Sequence, residues 1–127
     1  MANTLRFNGE LVSIPLLGPE SGAPVTTIPI DETVQLGNQL APQYTLSDDN
    51  TVAVNLGGLT GVNVVFVKVI GSAVTLRMTS ALGTTQAVPV DSVLLQISRS
   101  VPITALSITR AAGGVQTQVL LFLGQIA

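Results

Sequence analysis

Residues 62–79 read VNVVFVKVIGSAVTLRMT, and two hydrophobic patterns meet inside this stretch. The second half alternates. Val74, Leu76 and Met78 fall on one side of an extended chain and Thr75, Arg77 and Thr79 on the other, the period-2 signature of a strand with one buried face. The first half, 62–70, is apolar on both sides: Val62, Val64, Phe66 and Ile70 oppose Val65, Val67 and Val69. A strand of that kind is either central in a layered fold or placed at an interface. Gly71-Ser72 between the two halves reads as a two-residue hairpin turn with glycine first, as a type II′ turn prefers.

The rest of the chain has the same character. Val and Thr supply about a quarter of all residues, a β-branched richness that favours pleated, half-buried strands. Alternation between turn residues predicts strands near 4–7, 10–16, 25–30, 33–40, 51–56, 62–70, 73–79, 85–88, 92–98, 103–109 and 115–123. In 92–98, Val93, Leu95 and Ile97 are assigned to the core, opposite Ser92, Leu94, Gln96 and Ser98; in 51–56, Val52, Val54 and Leu56 face inward. The last strand, within GGVQTQVLLFLGQIA (113–127), is two-faced like 62–70, with Val119, Leu121 and Leu123 against Leu120 and Phe122. Arg110–Gly114 reads as a hairpin loop that makes 103–109 and 115–123 antiparallel neighbours, and Asp31-Glu32 as a polar bend between strands. Short strands at this spacing predict an all-β fold, an antiparallel β-sandwich of jelly-roll or related Greek-key type. Residues 1–24 read as an N-terminal arm and loop, with an irregular surface loop over 17–24, and residues 25–127 as the sandwich domain.

At 127 residues a single core suffices. Its surface is unusual: 46% of the residues are hydrophobic and only 9% charged, against about 25% charged in an ordinary globular domain. No apolar run approaches the ~20 residues of a spanning helix. Three Phe, one Tyr and no Trp leave no aromatic girdle for a membrane barrel. The expectation is therefore that apolar, uncharged surface lies against other protein. Two or three Leu or Phe side chains left in water forfeit several kcal/mol, on the order of a domain's net stability. The opening MANTLRFNGELVSIPLL lacks the pattern of a signal peptide, so no secretion signal is expected. Net charge is −2, and the five basic residues are scattered at Arg6, Lys68, Arg77, Arg99 and Arg110, which argues against a nucleic-acid partner.

With no His and no Cys, the chain cannot build a Ser-His-Asp or Cys-His nucleophile or a zinc site of the common nitrogen and sulfur type. Carboxylate chemistry is what remains, from Glu10, Glu20, Asp31, Glu32, Asp48, Asp49 and Asp91, and a sugar cleft would want aromatic walls that the composition does not supply. The expectation is a protein that is not an enzyme, with no cofactor, no metal and no small-molecule substrate. Asp48-Asp49 reads as a solvated turn and not as calcium ligands, because the further acidic positions of an EF-hand loop are missing. Gly57–Gly61 has no following Lys-Ser/Thr and reads as a turn.

A partner surface is the remaining candidate site. Phe66, Leu120 and Phe122 supply its apolar contacts. Lys68, the basic residue inside an apolar strand, either snorkels or protects a sheet edge. Arg77, Arg99 and Arg110 are candidates for polar anchoring to the partner.

From Val62 onward the chain carries VKVIGSAVTLRMTS (67–80), QAVPVDSVLLQIS (86–98) and PITALSITRAAGGVQTQVLLFLGQIA (102–127). This cadence of short Val/Thr/Leu strands and small-residue turns resembles small virion structural proteins of tailed bacteriophages, of the capsid decoration or cement type. The resemblance spans residues 62–127 and transfers no individual site residue. It implies a compact β-domain on the outer surface of the virion head, self-associated as a dimer or trimer and clamping the major capsid protein shell. The alternatives are a phage tail, fibre or portal-associated structural component, or a carbohydrate- or receptor-binding β-sandwich module.

Overall fold

A computed structural model describes residues 3–13 and 26–127; the loop expected over 17–24 lies outside the described residues. The strands among them are β1 (Asn3–Ser13), β2 (Thr26–Leu40), β3 (Gln43–Leu46), β4 (Val52–Ala53), β5 (Val64–Ile70), β6 (Val74–Ser80), β7 (Thr85–Val90), β8 (Val93–Ile97), β9 (Ile103–Arg110) and β10 (Thr117–Ile126). The fold is all-β, as the alternation predicts. Two antiparallel sheets face each other as a sandwich: a larger one in the order β1-β2-β10-β5-β8, with β3 also paired to β10, and a smaller one in the order β4-β9-β6-β7.

The interior is filled from both sheets. Val65, Val67 and Val69 of β5 and Val119, Leu121 and Leu123 of β10 meet Val74, Leu76 and Met78 of β6 and Leu106 and Ile108 of β9. These are the alternate sets that the pattern selects, and β-branched side chains suit this surface because their restricted χ1 already fits the pleat. β10 is the hub of the larger sheet. It pairs with β5 on one side, and with β3 and then β2 on the other.

Several local expectations are corrected. Gly71-Ser72 and Arg110–Gly114 are not hairpin turns: β5 and β10 belong to the larger sheet and β6 and β9 to the smaller, so both segments are corners between sheets. Glycine serves a corner as readily as a hairpin, because either can require positive φ. The hairpin in this region is β6–β7, closed by the Ser80 amide on the Thr84 carbonyl. The bend expected at Asp31-Glu32 is absent, and β2 runs straight through it. Both carboxylates face cations, Arg6 at 3.3 Å from Asp31 and Arg99 at 2.8 Å from Glu32, so extended backbone there leaves neither charge unpaired. Likewise 4–7 and 10–16 are not separate strands over the described residues, since β1 is continuous through Asn8 and Gly9. The strand expected over 51–56 shrinks to Val52–Ala53, because Asn55 and Gly57 form a turn in which the Tyr44 hydroxyl accepts from the Asn55 amide.

The assignment of β8 is reversed. Leu94 packs toward the interior, whereas Val93 and Leu95 are 55% and 39% exposed on the outer face. The register with β5 is the reason: Leu95 lies opposite Phe66 and Val93 opposite Lys68, both on the outer side.

β2 performs two tasks. Its last residues, Leu36–Leu40, pair with β10, while 26–36 pair with β1 as a two-stranded ribbon. The ribbon lies over the outer face of the larger sheet, where Val34 and Leu36, with Leu5 and Phe7, pack on Val64, Ile97, Phe122 and Ile126. Gly124 makes room for this crossing, since a Cβ there would lie 2.8 Å from Leu36 Cδ2.

Candidate functional site

The two-faced strands are covered on their second side by the ribbon over one half only. Register across β10, β5 and β8 sets two rows on the outer face: Phe122, Phe66 and Leu95, then Leu120, Lys68 and Val93. The ribbon caps the Val64 end of these rows. Toward the other end the face is open, with Ile70 48% exposed. A hollow of about 260 Å³ sits there, lined by Ala41, Gln43, Phe66, Lys68, Leu120 and Phe122.

Lys68 is exposed at the centre of this face and has no ion-pair partner among the described residues. β5 is an interior strand, so the edge-protecting reading of Lys68 does not hold. Its aliphatic stem stands among apolar neighbours while its ammonium reaches water, an arrangement that gives the patch one directional polar contact. Phe66, Lys68, Leu120 and Phe122 are thus brought together on one surface. The residues that extend it, Val93 and Leu95, are assigned to the core by alternation because their alternate set is the more apolar one; only the register with β5 turns them outward.

Arg77 and Arg110 are not part of that surface, and Arg99 lies beside it, lining a hollow of about 450 Å³ with Glu32, Leu95 and Ile97. Arg77 lies on the opposite side of the sandwich, on the outer face of the smaller sheet opposite Ala87 and Ser107, with Nη1 3.5 Å from Thr109 Oγ1. Arg99 clips the ribbon: its Nη2 donates to Glu32 at 2.8 Å and to the Thr33 carbonyl at 3.5 Å.

Arg110 is not a loop residue presented to a partner. It ends β9, is only 8% exposed, and donates from Nε and Nη2 to Asp49 Oδ1 at 3.1 and 2.9 Å and from Nη1 to the Val115 carbonyl at 3.0 Å. Asp49 also accepts from the Gly113 amide, so the acidic turn fastens the β9–β10 corner. The Arg110 hydrogen bond, with the Gly113 amide adding to it, holds the Asp49 carboxyl below its ordinary value of 3.8. Because the folded value is the depressed one, the stability this group contributes is present above pH 3.8 and is lost as pH falls through the folded value. Asp49→Asn is therefore expected to lower the urea midpoint at pH 7, with the gap to wild type closing in strongly acidic buffer. A gap that is equal at both pH values would refute the linkage.

Among the described residues no group of three or more His, Cys, Asp or Glu comes together. The geometry defines a class: an antiparallel two-sheet protein whose larger sheet keeps half of its outer face apolar and open. No family model matches the chain, and neither does any curated protein or solved structure.

Proposed function

We propose that this chain is a non-enzymatic structural protein that binds and stabilises a phage capsid shell from the outside, in the manner of a decoration or cement protein. The observation that carries the reading is the open half of the larger sheet's outer face, where Phe66 and Leu120 flank Lys68, a cation with no ion-pair partner among the described residues. A clamp of this kind works by buried area summed over symmetric copies, and a charge-poor apolar face suits it because desolvating it costs little. The cadence of residues 62–127 supports the same reading. A tail, fibre or portal-associated role would use the same surface, and labelled particles viewed by electron microscopy separate head from tail.

The test is co-sedimentation of the purified chain with shells that lack it, together with the thermal stability of those shells. Bound protein should raise the shell's melting temperature. Leu120→Glu should weaken binding by about tenfold or more, the loss expected of an interface anchor, while its own melting temperature moves little because the side chain lies outside the core. No binding to any shell, or undiminished binding by this variant, would overturn the proposal.

A further inference from the structure

We infer that β8 is a homodimerisation edge, at which two copies of this chain pair antiparallel about a two-fold axis through Leu95. The capsid reading leaves open which surface joins the copies, and the assignment of this edge does not depend on that reading.

The backbone makes the edge available. β8 ends the larger sheet. The Val69 amide bonds to the Ser92 carbonyl and the Ser98 amide to the Asn63 carbonyl, so the even-numbered residues of this strand direct their N–H and C=O toward β5. The antiparallel ladder then turns those of Val93, Leu95 and Ile97 outward. Exposed edges are ordinarily protected by charge, proline or brevity. Of the other edges, β7 carries Pro89, β1 carries Arg6, β4 has only two residues and β3, which pairs with β10 alone, only four. The segment Val93–Ile97 has neither a charge nor a proline.

The occupant is indicated by the sequence around that edge. Asp91–Arg99 reads DSVLLQISR, and it is complementary to itself when run antiparallel about Leu95. Val93 falls opposite Ile97 and Ser92 opposite Ser98, and Asp91 and Arg99 stand at the bends that bound the strand, so the two-fold sets a carboxylate of one copy and a guanidinium of the other at each end of the pair. Leu94 and Gln96 face the sandwich side. Asp91 has no ion-pair partner among the described residues, while Arg99 is half exposed beside Glu32 and can reach a second carboxylate. Three outward residues on each strand exchange about six backbone hydrogen bonds, two for each hydrogen-bonded pair. On the outer face the row Phe122, Phe66, Leu95 continues across the axis into its symmetry mate, extending the open patch. The contact is isologous and closes on itself, so it consumes the exposed edge without building a fibre.

The absence of native cysteine makes the test clean. In a Leu95→Cys variant of the full chain, the two substituted residues would lie at a hydrogen-bonded pair with Cα atoms about 5.5 Å apart, within disulfide reach. Mild oxidation should give a covalent dimer, and Val93→Cys should not, because its mate across the axis is Ile97. By sedimentation equilibrium the wild-type chain should dimerise reversibly. Asp91→Arg and Arg99→Asp, each confirmed folded by circular dichroism, should each raise the dissociation constant about tenfold or more. An equimolar mixture of these two should recover the wild-type value, because both ends of the mixed pair are again complementary. A wild-type chain that stays monomeric up to millimolar concentration would overturn the inference. Equal crosslinking by both cysteine variants, or a mixture no tighter than either charge variant alone, would overturn it as well. Failure to bind capsid shells would leave it standing, so the two proposals fail separately.

Discussion

A chain truncated after Leu120 is expected to lose its cooperative unfolding transition altogether. Leu121 and Leu123 are buried in the sandwich interior, 4% and 0% exposed. The seven residues removed, 121–127, carry all of β10's pairing with β2, from Leu123–Leu40 to Ile126–Leu36, and most of its pairing with β5. Removing one such leucine side chain alone, as in Leu123→Ala, should cost about 2–5 kcal/mol through lost transfer energy and the residual cavity. A domain holds only about 5–15 kcal/mol in total. Losing both leucines, Phe122 and the strand that ties the ribbon to the sandwich therefore exceeds what the fold has in reserve. The measurement is a urea titration followed by circular dichroism. The point variant should give a sigmoid shifted to lower urea, and the truncated chain no transition. A truncated chain that still melted cooperatively would mean that β3 and β5 close the larger sheet without β10's second half.

Residues 62–79 show how far local pattern reaches. Alternation in 73–79 identified the buried set of β6, and the two-faced runs at 62–70 and 119–123 identified β5 and β10 as strands that need cover on both sides; these are properties of neighbouring residues. What covers them is a matter of distant pairing. Half of the outer face is covered by Val34 and Leu36, which reach Val64 and Phe122 through a ribbon that the polar pair Asp31-Glu32 locally disfavours until their cations, 25 and 67 residues away, are placed. Arg110 shows the same limit. Next to Ala-Ala-Gly-Gly it reads as a loop cation, and only Asp49, 61 residues earlier, makes it a buried one. In β8 alternation points the wrong way, because Val93, Leu95 and Ile97 are all apolar whereas Leu94 is the single apolar residue among Ser92, Leu94, Gln96 and Ser98. The register with β5 decides instead, and it turns Val93 and Leu95 out to the surface on which both proposals rest.

Alanine at Gly71 should be far more costly than alanine at Gly83, although both glycines have positive φ, 126° and 86°. Gly83 lies in the β6–β7 hairpin with open space where a Cβ would go, so Gly83→Ala meets backbone strain alone, about 1–2 kcal/mol. At Gly71 the Cβ would lie 2.8 Å from Thr117 Oγ1 and 2.9 Å from the Gln116 carbonyl oxygen, and the second of these is backbone that cannot swing aside. The two inter-sheet corners interlock here. Thr117 Oγ1 accepts from the Ser72 amide and donates to the Val115 carbonyl, and the Val115 amide donates to Ser72 Oγ. Thr117 is fully buried, so forcing the corners apart leaves polar groups without partners as well as a misfit. Strain and overpacking together put Gly71→Ala at about 2–5 kcal/mol, read for each variant as its shift in urea midpoint from wild type multiplied by m. If Gly71-Ser72 were an isolated hairpin turn, the two substitutions would differ only by the strain of their φ angles. A large gap between them is what two corners locked through Ser72 and Thr117 require.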